Sequence, residues 1–299
     1  INEGESATIS FTIGAVESNP QYTYNWIRNG STITTTTSTL TSTTYTITNA
    51  TSADAGTYLG SVTVSGTCAT TNTNNVEVTV NPRPQGVLSG NTIQSGATGQ
   101  LTYTSTNGGG TFTIVYNDGT SDISVYNVTS GVPFNVASGT PIATNAYTLV
   151  SVTDESTNSS RTTDFTTTTG VITVYAKPTA SLTSGDIICA GGEANIKVSL
   201  TGTGSTTITL NDGTTQTFDF GTISTTVSTI TGTITVKPST TTIYSIAKIE
   251  NNYGTGIVSG TVSRTVIVIQ PAAITAQPIS VRINEGESAT ISFTIGAVE

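Results

Sequence analysis

Seventeen residues occur twice in this chain. INEGESATISFTIGAVE fills positions 1–17 and returns, letter for letter, at 283–299, an offset of 283 − 1 = 282 residues. Identity at a fixed period is the mark of an array, in which one structural unit recurs along the polypeptide. The 299 residues are therefore expected to cover one full period and a short overlap. A shorter period lies inside the long one. Three alternating strands close on proline, VEVTVNPRP at Pro84, VITVYAKP at Pro178 and TVIVIQP at Pro271, in steps of 178 − 84 = 94 and 271 − 178 = 93. YNDGT at 116–120 and LNDGT at 210–214 are also 94 apart.

Alternation of period two runs throughout, and it places successive side chains on opposite faces of a strand. Ala7, Ile9, Phe11 and Ile13 share one face, as do Tyr58, Gly60, Val62 and Val64, and again Ile196, Val198 and Leu200. Threonine, which favours strands, fills the positions between, and Gly, Asn and Asp supply turns. No stretch has the spacing of an amphipathic helix. The fold class expected is all-β, a tandem array of three sandwiches repeated with a 282-residue period: 1–84, 85–178 and 179–271, with 272–299 beginning the next copy of the first. Domain 1 is expected to lack its first strand, because the segment preceding EGES in the repeat, ITAQPISVR, stands only at 274–282.

Charge narrows the function. Only 9% of residues are charged, with 18 acidic against 9 basic for a net charge of −9. Nucleic acid and anionic membrane surfaces both require a basic footprint, so neither is an expected partner. No segment has the apolar length of a membrane span, and neither a signal peptide nor any Met is present, so the natural start of the protein is expected elsewhere. With no His, the usual proton shuttle and the commonest metal ligand are both missing.

Residues 1–80 resemble the immunoglobulin superfamily, intermediate type. The resemblance is carried by EGESATISF, by YNWIRNG with Trp26, and by ATSADAGTYLG, whose Asp54, Gly56 and Tyr58 match the family pattern D-x-G-x-Y-x-C. It implies that Trp26 holds the central core position and that the Tyr58 hydroxyl bonds to backbone upstream in a tyrosine corner. The family's inter-sheet disulfide would join positions 11 and 60, which here are Phe11 and Gly60. A ring facing a residue without a side chain conserves volume in place of two sulfurs, so packing alone is expected to hold this core. Residues 85–270 lack the Trp and the tyrosine block. DIICAGGEANIKVSL, ITLNDGTTQTF and TTTIYSIAKIENNYGTG look like repeats of very large Bacteroidota surface adhesins. That likeness implies a cell-surface protein exported by the type IX route.

Candidate sites are few. Cys68, expected in a hairpin loop, and Cys189, expected just before a strand, are the only cysteines and fall in different domains. They are either free thiols or bridges between chains or successive repeats; neither has a His base for nucleophilic chemistry or enough companions for zinc. The NDG tripeptides at 117–119 and 211–213 read as tight hairpins rather than calcium loops, because Ca²⁺ needs six to eight oxygens and only Asp122 and Asp219 stand near. Lys197, between Ile196 and Val198, is expected to face solvent rather than a buried isopeptide crosslink. The run 32–48, TITTTTSTLTSTTYTIT, could form a flat hydroxyl ladder for ice or polysaccharide, or simply keep strand faces polar without charge. N-x-S/T sequons stand at Asn29, Asn49, Asn127 and Asn158.

No catalytic residue, metal or cofactor is expected, and the chain is not read as an enzyme. The expected role is a structural and adhesive extracellular filament or stalk whose partners are further copies of itself and, at its surface, extracellular glycans. The alternative is a carbohydrate- or ice-binding module.

Overall fold

In a computed structural model, residues 1–15, 20–67, 69–221 and 224–296 are described. The chain is all-β, an array of three immunoglobulin-like sandwiches; among the described residues the helical content is one 3₁₀ turn, Ser52–Asp54. It divides into two compact units, one of Ile1–Asn91, Gln100–Ala137 and Ala146–Ile172, the other of Thr92–Gly99, Ser138–Asn145 and Thr173–Glu299.

In the first unit, the first sandwich pairs Ala7–Thr12 with Ser42–Ile47 in a two-stranded sheet. Its second sheet runs Ser31–Ser38, Tyr22–Arg28, Gly56–Val64 and Thr70–Asn72, and Val76–Val78 also pairs with Gly56–Val64. Alternation decides which face is dry. Tyr22, Tyr24 and Trp26 point inward, and the register sets Tyr24 opposite Val62 and Trp26 opposite Gly60. The hairpin between Tyr22–Arg28 and Ser31–Ser38 is a two-residue turn, Asn29 at φ +46° and Gly30 at φ +82°, the left-handed pair that matches strand twist.

The second sandwich contributes two groups of strands to this unit. Gln100–Asn107 pairs with Gln85–Gly90 and Pro133–Asn135. Thr111–Asn117 lies between Asp122–Thr129 and Asn145–Asp154, whose far end pairs with Ser159–Arg161. Leu88, Leu101, Tyr103, Phe112, Ile114 and Tyr116 are buried between them.

In the second unit, Thr92–Gln94 runs parallel to Thr173–Tyr175. The third sandwich sets Ser228–Val236, Ala194–Gly202, Thr179–Ser184 and Ile257–Val258 in one sheet. The other holds Ile187–Cys189, Ser263–Ile269, Thr242–Asn251, Ser205–Leu210 and Thr215–Asp219. Ile196, Val198 and Leu200 are all buried between the sheets, and Lys197 is exposed. Both NDG segments are hairpin loops, between Thr111–Asn117 and Asp122–Thr129 and between Ser205–Leu210 and Thr215–Asp219. At the C-terminus Ile274–Ala276 pairs with Thr294–Ile295.

Candidate functional site

The core of the first sandwich is built on one ring. Phe11 packs edge-on against Trp26 and Tyr24, with centroids 5.3 and 5.7 Å apart. A Cβ on Gly60 would collide with the Phe11 ring, so the absence of a side chain at 60 is what admits it. Trp26 and Tyr58 are 5% and 1% exposed, whereas Phe11 is only partly covered. The Tyr58 hydroxyl donates to the Asp54 carbonyl oxygen at 2.8 Å. The Asp54 carboxylate accepts from the Thr51 amide and hydroxyl, each at 2.9 Å, and pairs with Arg28 at 3.1 Å. Those Thr51 bonds first, and Arg28 after them, hold its carboxyl below the usual range. The five residues thus fall into two neighbouring groups, Phe11 with Trp26 and Gly60, and Tyr58 with Asp54.

A groove of about 190 Å³ lies between Ala7–Thr12 and Val76–Val78, lined by Ile9, Phe11, Trp26, Tyr58 and Val76. Val76 is 48% exposed. Elsewhere in the first sandwich, Asn2 forms a parallel bridge to Asn81; the Asn81 amide donates to the Ile1 carbonyl at 2.9 Å and the Glu3 amide to the Asn81 carbonyl at 2.8 Å.

Two junctions between successive sandwiches are fastened by side chains. Within the first unit, the Arg83 amide donates to the Glu3 carboxylate at 3.1 Å and its Nε to the Glu3 carbonyl at 3.3 Å. Arg161 Nε donates to the Pro84 carbonyl at 2.7 Å, and Asn107 Nδ2 to the Arg83 carbonyl at 3.2 Å. Within the second unit, Tyr175 and Tyr253 stack at 4.2 Å, and the Ile257 amide donates to the Pro178 carbonyl at 2.8 Å. None of these pairs is adjacent in sequence, and sequence reasoning missed them all.

It also missed Asp154, a carboxylate 2% exposed at the end of Asn145–Asp154. Burial pushes its carboxyl up, but bonds from the Ser156 hydroxyl and from the Gly109 and Ser156 amides outweigh this and hold it below the usual range. A VTDESTN stretch that leaves a strand for a turn was the available signal.

The remaining candidates resolve plainly. Cys189 is an exposed free thiol that precedes the strand Ala194–Gly202, as the sequence reading has it, and also ends a short strand, Ile187–Cys189, paired in parallel with Ser263–Ile269. Cys68 lies outside the described residues. The Asp118 carboxylate closes its own loop by accepting from Thr120 and Ser121. Among the described residues no three His, Cys, Asp or Glu gather as a metal site, and no helix is long and apolar enough to cross a membrane. The threonine run 32–48 forms no single ladder: Ser31–Ser38 belongs to one sheet and Ser42–Ile47 to the other. All four sequon asparagines, Asn29, Asn49, Asn127 and Asn158, adopt positive φ between 46 and 56°, a backbone that asparagine tolerates; Asn127 does so at an irregularity inside the strand Asp122–Thr129.

Together these features define a tandem array of immunoglobulin-like sandwiches. The immunoglobulin-domain family model matches residues 1–74. No curated protein sequence matches the chain. Among solved structures, the I67–I69 I-band fragment of titin is similar at 13% identity and TM-score 0.45, covering 89% of this chain and 94% of that one. Three N-terminal domains of the outer capsid protein Hoc of bacteriophage RB49 give 14% identity and TM-score 0.41, over 89% and 95%. A Ca²⁺-stabilised, ice-binding adhesin of an Antarctic bacterium gives 18% and 0.36, over 93% and 72%. At these scores the likeness carries no argument.

Proposed function

We propose that the chain is a section of a structural and adhesive array that presents polar faces to surfaces outside a bacterial cell. The observation that carries this reading is the fastening of the junctions. Free linkers between sandwiches would leave Arg83, Arg161 and Tyr175 solvated, whereas each is committed to the neighbouring sandwich or to the linker backbone. Nearest-neighbour contacts of this kind give stiffness to repeat proteins.

The exposed strand faces suit such a role. Their threonines hydrogen-bond across strands, Thr8 with Thr46, Thr63 with Thr70, Thr201 with Thr229 and Thr207 with Thr217 at 2.8–3.1 Å. The surface is thereby polar with little charge, and extracellular glycans are the class of ligand that such hydroxyl faces would meet. The location, on the surface of a cell of the Bacteroidota type, rests on the resemblance of the Thr-rich strands in 85–270, and antibody labelling of intact cells tests it.

Stretching a single chain tests the mechanical reading. Three separate unfolding events are expected, each releasing about 30 nm, since some 94 residues extend by about 3.3–3.6 Å apiece. One event, or a featureless extension, would sink the array.

A further inference from the structure

Nine of the 299 residues are basic, and two of them, Arg83 and Arg161, line one hollow. It has a volume of about 230 Å³ and lies between the first and second sandwiches, inside the first unit, where Glu3, Gly4, Asn49 and Thr51 complete it. Arg83 lies against the backbone of Gly4, where a Cβ would collide with its Nη2. Arg161 is held by the carbonyls of Pro84, Thr163 and Asp164. Ile1 lies back along the parallel ladder, beside Thr79, on the side away from the hollow.

The charges here lack counterparts. Arg28, Lys237 and Lys248 each meet a carboxylate, whereas among the described residues neither the Arg83 nor the Arg161 guanidinium pairs with one. Both donate to carbonyl oxygens, which carry no net charge. Glu3 borders the hollow, and its carboxylate accepts from the Arg83 amide. The lining therefore carries 2 − 1 = 1 positive charge, in a chain whose total is −9. A guanidinium is a planar fork that fits a carboxylate two bonds at a time.

A second hollow, of about 140 Å³, shares Arg83, Glu3 and Gly4 with the first and continues to Glu5, Asn158 and Ser160. Its chemistry is that of an acceptor. The Glu5 carboxylate takes the Asn2 amide at 2.9 Å and the Asn2 side chain at 3.4 Å, which leaves lone pairs on both oxygens. Ser159 also borders this hollow; it is 1% exposed, and its Oγ has no hydrogen-bond partner among the described residues. A buried hydroxyl left unpaired is uncommon enough to require a reason.

We propose that the two hollows are subsites of one glycan site that takes a uronic acid. Its carboxylate seats on Arg83 and Arg161, and its ring hydroxyls meet Glu5, Asn158 and Ser160. The inference rests on the glycan-facing array and deepens it by naming the site and the class of sugar. A neutral sugar would fill the acceptors and leave the arginines without a counter-charge. A bare inorganic anion would do the reverse. An acidic sugar carries an anion and hydroxyls on one ring, and so answers both hollows.

The full 299-residue chain tests this by calorimetric titration with trigalacturonate. Binding is expected. It should weaken at least about tenfold for the methyl-esterified trisaccharide, which keeps the hydroxyls and loses the charge, and should weaken as salt is raised. Arg83→Gln and Arg161→Gln should each cost at least about tenfold, with unchanged Trp26 emission showing that the first sandwich is folded. Lys197→Gln, which removes an exposed cation of the third sandwich, should change nothing. Acetate and sulfate separate the sugar from a bare anion: at equal concentration neither should displace trigalacturonate. Absent binding, equal binding of the methyl ester, binding that survives both arginine substitutions, or displacement by acetate or sulfate overturns the proposal. Should an arginine variant fail to fold, the ester and salt comparisons on the unaltered chain still decide. Three unfolding events alongside absent uronate binding would sink this site and leave the array intact.

Discussion

At the residue scale, the packing of the first sandwich turns on a ring laid on a glycine. Phe11 over Gly60 bridges the two sheets of the first sandwich, and in the third Phe218 stands in the same relation to Gly232, where a Cβ would collide with its ring. Sequence alternation alone put Phe11 and Gly60 on inward faces. The partial exposure of Phe11 was not legible, because alternation gives the face of a residue and not how completely its neighbours cover it. Replacing Phe11 by Ala should cost about 2–4 kcal/mol, near the lower end for large aromatics since the ring is partly exposed. Gly60→Ala should cost about 1–3 kcal/mol by overpacking. The two must not add: with the ring gone, the extra methyl has room, so the double variant should be at least about 1 kcal/mol more stable than the sum. Urea melts followed by Trp26 fluorescence measure all three, and strict additivity would refute the contact.

At the scale of elements, turns and buried carboxylates decide where strands begin and end. Asn29 was read only as a sequon; its φ of +46° makes it a turn residue instead, with Oδ1 accepting from the Thr57 amide at 2.9 Å. Thr32–Thr48 was legible as strand but not as two strands in different sheets, because threonine is equally at home on both sides of the break. The Tyr24 hydroxyl bonding the Leu40 carbonyl at 2.7 Å pins the crossing, and that contact spans 16 residues. Asp54, Asp118, Asp154, Glu155 and Asp186 all have carboxyls held below their usual values by hydrogen bonds. A carboxyl whose folded value is depressed contributes stability that is complete above its unfolded value, about 4, and disappears as pH falls through the folded value. With no His, the chain lacks the side chain whose ordinary value lies between pH 5 and 8. The urea midpoint should therefore be flat from pH 8 to 5 and drop below about pH 4. Asp154→Asn should lower the plateau by about 1–3 kcal/mol, since it leaves buried donors poorly matched, and should make the acid drop shallower. An unchanged acid slope would show that Asp154 is not among the carboxylates responsible.

At the scale of the whole molecule, the period and the three closing prolines made the array readable, whereas its junctions were not. Arg83 meets Glu3 across 80 residues and Arg161 meets Pro84 across 77, with no motif to announce either. These contacts predict that neighbouring sandwiches are coupled, and the chain carries its own reporter. Trp26 is the sole tryptophan and belongs to the first sandwich, while Arg161 sits on Ser159–Arg161 of the second. Arg161 bonds the linker carbonyl of Pro84 and, with Arg83, lines a polar hollow against Glu3, Asn49 and Thr51. Removing its side chain frees the linker that positions Arg83 against Glu3. A hydrogen bond from a charged group is worth about 1.5–3 kcal/mol when buried, and partial exposure here reduces that. Arg161→Ala should therefore lower the stability reported by Trp26 by about 0.5–1.5 kcal/mol, although the substitution lies in a different sandwich. Lys in its place should restore little, because an ammonium lacks the planar fork that reaches the Pro84, Thr163 and Asp164 carbonyls together. Were the Trp26 midpoint to stay fixed while calorimetry showed the second sandwich weakened, the sandwiches would be independent beads.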